Sequence, residues 1–238
     1  MEPFRVGPDE LFQMAVSVLA ISFAFSMIFV GLDGMLAYPG ELIAFLMLSL
    51  VTIGSGFIFH EMGHKVAAIY YGAHARFRMW VQGLAFMLIT SFFGVLFAAP
   101  GAVYIYGKKI TPKENGIISL AGPVTNLILM SFFATLIFAL PMTQHFTTLQ
   151  SWTFFGINRG AINVWEFGMA INLILALFNM IPAFPLDGSK VFRWNRLAWI
   201  GFTGFLLLLA MALFPFSMIV GWVFIFMIAM IFSKLFFG

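Results

Sequence analysis

Long apolar runs separated by short polar breaks set the organisation of this chain. Residues 11–32 supply the ~20 apolar positions that a helix needs to cross a ~30 Å hydrocarbon core. Gly31, Asp33-Gly34 and Pro39-Gly40 then read as a turn. A second run, 41–71, is apolar apart from one His/Glu cluster and Lys65, and Gly72 supplies its C-terminal cap. Thr111 followed by Pro112 opens a third helix reaching residue 140, with a capping hydroxyl and a proline at the first position. The fourth run, 161–187, is interrupted by Asn172 and Asn179. It ends in Asn179-Met180-Ile181-Pro182-Ala183-Phe184-Pro185-Leu186-Asp187-Gly188, where the two prolines unwind the helix. Runs at 197–214 and 216–232 complete the chain, with no ionisable group inside them.

Residues 75–109 break this rhythm. Arg76-Phe77-Arg78-Met79 alternates as a strand does, 83–99 is apolar with interspersed glycine, and Pro100 to Tyr106 reads as a turn and a second strand. Such backbone survives in lipid only where protein covers it or it lines a wet cavity. The pattern therefore predicts an all-α polytopic membrane protein. It has about six transmembrane helices and a membrane-associated β-hairpin or re-entrant element after the second. Residues 1–238 are expected to form one integral-membrane domain, with a core at about 41–188 and scaffold spans at 11–32, 197–214 and 216–232. Residues 141–160 read as a polar loop with His145 solvated.

Composition agrees: 62% of the residues are hydrophobic and 9% charged, whereas a soluble domain carries about 25% charged residues. The first ten residues lack the small-residue cleavage site of a removable signal, so the first run is kept as a span. With Cys 0, disulfides, thiolate ligands and a cysteine nucleophile are excluded, and any metal must be held by His and carboxylate. No basic run or glycine-rich phosphate loop points to nucleic acid or nucleotide. The positions of the charges are more informative than the net +3. Six spans leave both termini on one face, and that face collects Arg5, Lys65, Arg76, Arg78, Lys108, Lys109, Lys113, Lys190, Arg193, Arg196 and Lys234. Only Arg159 lies opposite. The positive-inside rule makes the terminal face cytosolic, at the cell membrane.

The chemistry is concentrated in His60-Glu61-Met62-Gly63-His64. Histidines at i and i+4 project from one helical face and can reach one metal ion, with Glu61 placed to act on a metal-bound water. A charged or strongly polar group near the bilayer centre costs at least ~2.5–3.5 kcal/mol, so three together need a compensating partner. A catalytic zinc site keeps three protein ligands and one water. Asp187 is the best third donor, because its segment is unwound and lies at a similar depth. Glu114 reads as solvated, Glu166 lies on the opposite side, and His74 reads as an interfacial residue. Asn179 is a candidate donor to an oxyanion, or else a cap for carbonyls freed by Pro182. Asn126 is either a helix-to-helix hydrogen bond or a residue near the site.

With His60-Glu61-Met62-Gly63-His64, Ala121-Gly122-Pro123-Val124-Thr125-Asn126 and the 179–188 segment in this order on separate spans, the sequence resembles the site-2 protease family of intramembrane zinc metalloproteases, over about 41–188. The resemblance implies one Zn²⁺ per chain on His60, His64 and Asp187, Glu61 as catalytic base and Asn179 as oxyanion partner. It also implies membrane-associated strands in 75–106, whose edge holds an unwound substrate by strand addition. The implied partners are the lipid bilayer and a single-span transmembrane protein substrate, commonly a regulator already trimmed by another protease. The spans leave no room for the peptide-binding or nucleotide-sensing domain of larger relatives. The competing readings are a catalytically silent zinc-binding homologue and a metal or proton transporter, since buried His and Asp also mark ion pathways. Against the transporter, no duplicated half carries a matching site. A membrane zincin with its domain outside the bilayer ranks last, because apolar residues flank the histidine cluster.

Overall fold

Helix α1, Pro8–Ala37, begins at Pro8 with Asp9 and Glu10 in its first turn, where carboxylates complement the helix dipole. It therefore starts earlier and runs further than the 11–32 span. Of the expected turn, only Gly31 leaves the helical region, at φ 71° and ψ 169°, and the chain reverses at Tyr38. The computed structural model describes residues 4–96, 100–140, 145–154 and 157–216, and in addition 219–221, 223–224, 227–228 and 230–231, with backbone only for 145–161.

The second span is three joined pieces: α2, Pro39–Ser49, one turn of π-helix at Leu50–Gly54, and α3, Ser55–Tyr70. Thr52 and Ser55 donate their hydroxyls to Leu48 and Val51 carbonyls across this widened turn. Gly54 sits against Val18 and Ser22 of α1, so its missing side chain sets how closely α1 and the widened turn approach. Gly72 closes α3 at φ 78°, and the amides of Gly72 and Ala73 return to Ile69 and Ala68 carbonyls, as the sequence predicts.

Strands β1, His74–Met79, and β2, Gly101–Tyr106, form the expected antiparallel hairpin, with Phe77 opposite Val103. A short apolar helix, α4, Val81–Ser91, occupies the connection. Thr111 caps α5, Pro112–Ala139, through a reciprocal capping box with Glu114. Glu114 also binds Lys108 at 2.7 Å.

Two expectations are corrected beyond α5. The polar loop is a second antiparallel pair, β3, His145–Phe154, and β4, Ile157–Asn163. Thr147, Thr148, Trp152, Thr153 and Phe154 are β-branched or aromatic and suit a pleated surface, while the threonines together with His145, Gln150 and Ser151 give the segment its loop-like polarity. The side chain of His145 lies outside the described part. In addition, the fourth span starts at Val164, because Asn163 accepts the amides of Trp165 and Glu166 and fixes the start of α6, Val164–Asn179. Residues 180–186 are non-helical. Helices α7, Asp187–Trp194, and α8, Arg196–Leu213, follow.

Among the described residues four helical stretches are long and apolar enough to cross a membrane: Pro8–Ala37, Pro39–Tyr70, Pro112–Ala139 and Arg196–Leu213. Helix α6 is apolar but has 16 residues, short of the ~20 a span needs. In the run 216–232 every described position is helical, and the others lie outside the described residues. The chain is thus a mostly helical, multi-pass membrane protein with two small antiparallel sheets among the described residues, and α5 packs against both α3 and α6. Lys65, counted with the cations of the terminal face, is 1% exposed and pairs with Glu10 of α1 at 2.7 Å. Breaking such a buried pair costs ~3–5 kcal/mol, so α1 and α3 are firmly joined.

Candidate metal centre

Helices α3 and α5 meet along a four-residue repeat. His60 and His64 lie one turn apart on α3, and opposite them α5 presents Ile118, Gly122 and Asn126. The Ile118 carbonyl oxygen lies 2.8 Å from His64 Nδ1, and Asn126 Oδ1 lies 2.6 Å from His60 Nδ1. A carbonyl oxygen can only accept, so His64 carries its proton on Nδ1. The same holds for His60, because Asn126 Nδ2 is already donating to the Gly56 carbonyl at 3.1 Å and to Asn172 Oδ1 at 3.0 Å, which turns its oxygen toward the ring. Both Nε2 lone pairs are thereby left facing inward.

Gly122 explains how the rings fit. A Cβ built there falls 2.6 Å from His60 Cε1 and 2.5 Å from His64 Cε1. Gly63, between the two histidines, is equally constrained by Thr125 and the Ala121 carbonyl. Small residues at this contact let the two backbones approach.

Asp187 arrives from α7. Gly188 packs so tightly on the Met180 and Ile181 backbone that a side chain there would collide with it. Trp199 Nε1 also donates to the Met180 carbonyl at 2.8 Å. These contacts hold the unwound segment and place Asp187 Oδ2 at 3.3 Å from His60 Nε2 and 3.0 Å from His64 Nε2. The two Nε2 atoms are 3.0 Å apart. Lys190 Nζ donates to the other oxygen, Oδ1, at 3.1 Å. One Asp187 oxygen thus faces the imidazoles and the second is held by an ammonium.

Zinc bonds of ~2.0–2.1 Å at tetrahedral angles separate the donors by ~3.3 Å. The observed triangle has edges of 3.0 to 3.3 Å. Two neutral imidazoles and one carboxylate suit Zn²⁺, while Ca²⁺ and Mg²⁺ prefer all-oxygen shells. The residues present therefore fit a single zinc. Glu61, also buried, lies one residue from His60 and accepts the Val103 amide of β2 on Oε2 at 2.9 Å.

The other candidates make contacts of their own. Asn179 ends α6, and its Nδ2 donates to the Leu175 carbonyl at 3.0 Å. His74 stacks on Tyr106, and Glu114 is committed to its capping box. Glu166 lies in the first turn of α6. Sequence reading did not find Asn172, Lys190, Gly122 or the Ile118 carbonyl as partners of the site. The amide at 172 inside an apolar run was a usable signal, whereas a main-chain carbonyl carries none.

A ligand triangle of this kind with an adjoining glutamate, enclosed by apolar helices, defines a zinc metallopeptidase centre in a multi-pass membrane protein. Comparison with known proteins agrees. Residues 48–196 match the model for Peptidase family M50. The chain is 43% identical over 202 residues to "Putative zinc metalloprotease MJ0611" of Methanocaldococcus jannaschii, covering 84% of this chain and 91% of that protein. It is 27% identical over 176 residues to "Putative zinc metalloprotease YwhC" of Bacillus subtilis, covering 67% and 73%. It is 28% identical over 137 residues to "Zinc metalloprotease MJ0392" of M. jannaschii, covering 57% and 30%. No solved structure matches the chain at a significant level. The chain belongs to peptidase family M50, the site-2 protease family of zinc metallopeptidases.

Proposed function

We propose that this protein hydrolyses peptide bonds within or near the transmembrane helices of single-span substrates, with His60, His64 and Asp187 holding zinc and Glu61 acting as the base. The observation that carries this reading is the meeting of Asp187 with both imidazoles beside Glu61 inside an apolar bundle. When bound, zinc supplies Lewis acidity that acidifies water and polarises a carbonyl. Glu61 takes the proton of the attacking water as the new C–O bond forms, then returns it to the amide nitrogen as the C–N bond breaks. Asn126 and the Ile118 carbonyl keep both imidazoles in the ligating tautomer throughout. Asn179 lies at the start of the unwound segment, and a turn of its amide away from Leu175 frees a donor for the developing oxyanion.

The distribution of cations supports a cytosolic face for both termini and for the site. Protease accessibility of terminal tags in right-side-out and inverted vesicles tests that orientation. Cleavage itself is tested with purified protein and a single-span substrate in detergent. Glu61→Gln is expected to lower turnover by about 10²–10⁴-fold, the range for a lost general base. Turnover of Glu61→Gln at the wild-type rate would refute the assignment.

A further inference from the structure

A second buried polar assembly is centred on Glu10 of α1. Its carboxylate receives Lys65 Nζ at 2.7 Å on both oxygens and the Phe77 amide of β1 at 2.9 Å. Lys65 completes its bonding with the Arg5 carbonyl at 2.7 Å and lies over the Phe4 ring. One turn further along α1, Gln13 Oε1 accepts the Met79 amide at 3.0 Å, while its Nε2 donates to Asp9 at 3.1 Å. Ser17, the next turn on the same face, donates to the Pro100 carbonyl at 3.1 Å. Helix α1 thus presents acceptors to alternate amides of β1, as a neighbouring strand would.

The other strand ends on the site. Phe77 and Val103 are directly opposite in the register, and both turn their amides outward instead of bonding each other. The Phe77 amide goes to Glu10 and the Val103 amide goes to Glu61. Lys65 lies one helical turn beyond Glu61 on α3. A closed loop results, running from Glu61 through Val103 and Phe77 to Glu10, Lys65 and back into α3. A shift of the hairpin along α1 removes Val103 from Glu61, and a one-residue slip turns every side chain to the opposite face. Helix α1 lies outside residues 48–196, the part matched by the family model.

The geometry points to Glu10 and Gln13 as positioning residues that lock the β1–β2 hairpin against α1, and so hold Val103 where its amide orients the Glu61 carboxylate. The inference rests on the proposed role of Glu61, and the test separates the two. Purified, zinc-loaded full-length protein is used with Gln13→Leu, which deletes the acceptor for Met79 but leaves the Glu10–Lys65 pair. Amide exchange over 74–79 and 101–106 is expected to accelerate about tenfold. Turnover of a single-span substrate is expected to fall about tenfold in kcat, with KM and zinc content unchanged. The exchanged pair Asp9→Asn/Gln13→Glu keeps both an acceptor for Met79 and a hydrogen bond between positions 9 and 13, and is expected to restore exchange and kcat to within about twofold. Unchanged exchange in Gln13→Leu, accelerated exchange with wild-type kcat, or a loss confined to KM or to zinc content overturns the inference. If Gln13→Leu does not fold, Ser17→Ala decides, with both readouts expected to move about threefold in the same direction and no movement overturning it. Glu61→Gln keeps an oxygen to accept the Val103 amide, so its turnover tests the protease reading while exchange over 74–79, on the Glu10 and Gln13 side, tests the positioning.

Discussion

Asn126 is the residue whose removal most directly tests how the metal centre is built. It has no exposed surface, and one amide serves His60, the Gly56 carbonyl and Asn172. Asn126→Ala deletes the acceptor that fixes the His60 tautomer, and loss of such a partner lowers metal affinity by about 10–100-fold, or ~1.4–2.7 kcal/mol. It also leaves the Asn172 and Gly56 oxygens without this donor. Interhelical hydrogen bonds in membranes average only ~0.6 kcal/mol, so the fold is expected to survive while the metal site weakens. Asn126→Asp keeps an oxygen acceptor toward His60 and is expected to retain zinc. Asn172→Ala, one bond further out, is expected to weaken zinc by less than Asn126→Ala does. Zinc dissociation constants from competition with a fluorescent chelator, measured beside thermal unfolding in detergent, resolve all three. Wild-type affinity in Asn126→Ala, or equal losses in Asn126→Ala and Asn126→Asp, would refute the claim that this amide acts by orienting the imidazole.

Other outcomes follow from the same geometry. Gly122→Ala places a methyl 2.5 to 2.6 Å from both imidazoles, and a forced shift of ~1 Å is expected to lower turnover by about 10²-fold with weaker zinc binding, read by titration and kinetics. Asp187→Ala is expected to lose zinc and cleavage together, read by elemental analysis beside the substrate assay; full zinc retention would move the third ligand elsewhere. Lys190→Met leaves Asp187 Oδ1 without its ammonium and is expected to lower zinc affinity by up to about tenfold, measured by the same chelator competition, with Lys190→Arg intermediate.

How much of this was readable in the chain depends on what each position signals. His60 and His64 are legible because a four-residue spacing means one helical face, and Asp187 because two prolines free the segment before it. Asn179 was read from its place in that segment, but its side chain bonds back to Leu175. Nothing in sequence distance says which way an amide turns. The hairpin was legible from alternation at 76–79, whereas the β3–β4 pair was hidden by polar residues read as loop. Lys65 shows the limit of charge counting. Its sign places it on the terminal face, and its burial against Glu10, 55 residues away in sequence, has no signal in the chain.

Burying Glu61, two imidazoles and the Glu10–Lys65 pair within apolar helices requires partners for their polar atoms, and α5 shows how one element can supply them to both imidazoles. Ile118, Gly122 and Asn126 recur every four residues, as Gly56, His60 and His64 do on the facing helix. Because His60 meets Asn126 and His64 meets Ile118, the helices run antiparallel, and the match of one repeat to the other satisfies both Nδ1 atoms at once. Gly122 leaves the space between them. The acceptor at one end is a side chain and at the other the Ile118 main-chain carbonyl, whose second lone pair serves His64 beside its helical bond, with Gly122 leaving the rings room. The hairpin obeys the same rule from the opposite side, giving one outward amide to Glu61 and its cross-strand neighbour to Glu10. The order of the site therefore comes from shared registers between elements, helix with helix and strand with helix, and a residue far from His60, His64 and Asp187 in sequence reaches them through such a register or through a bond that the register holds in place.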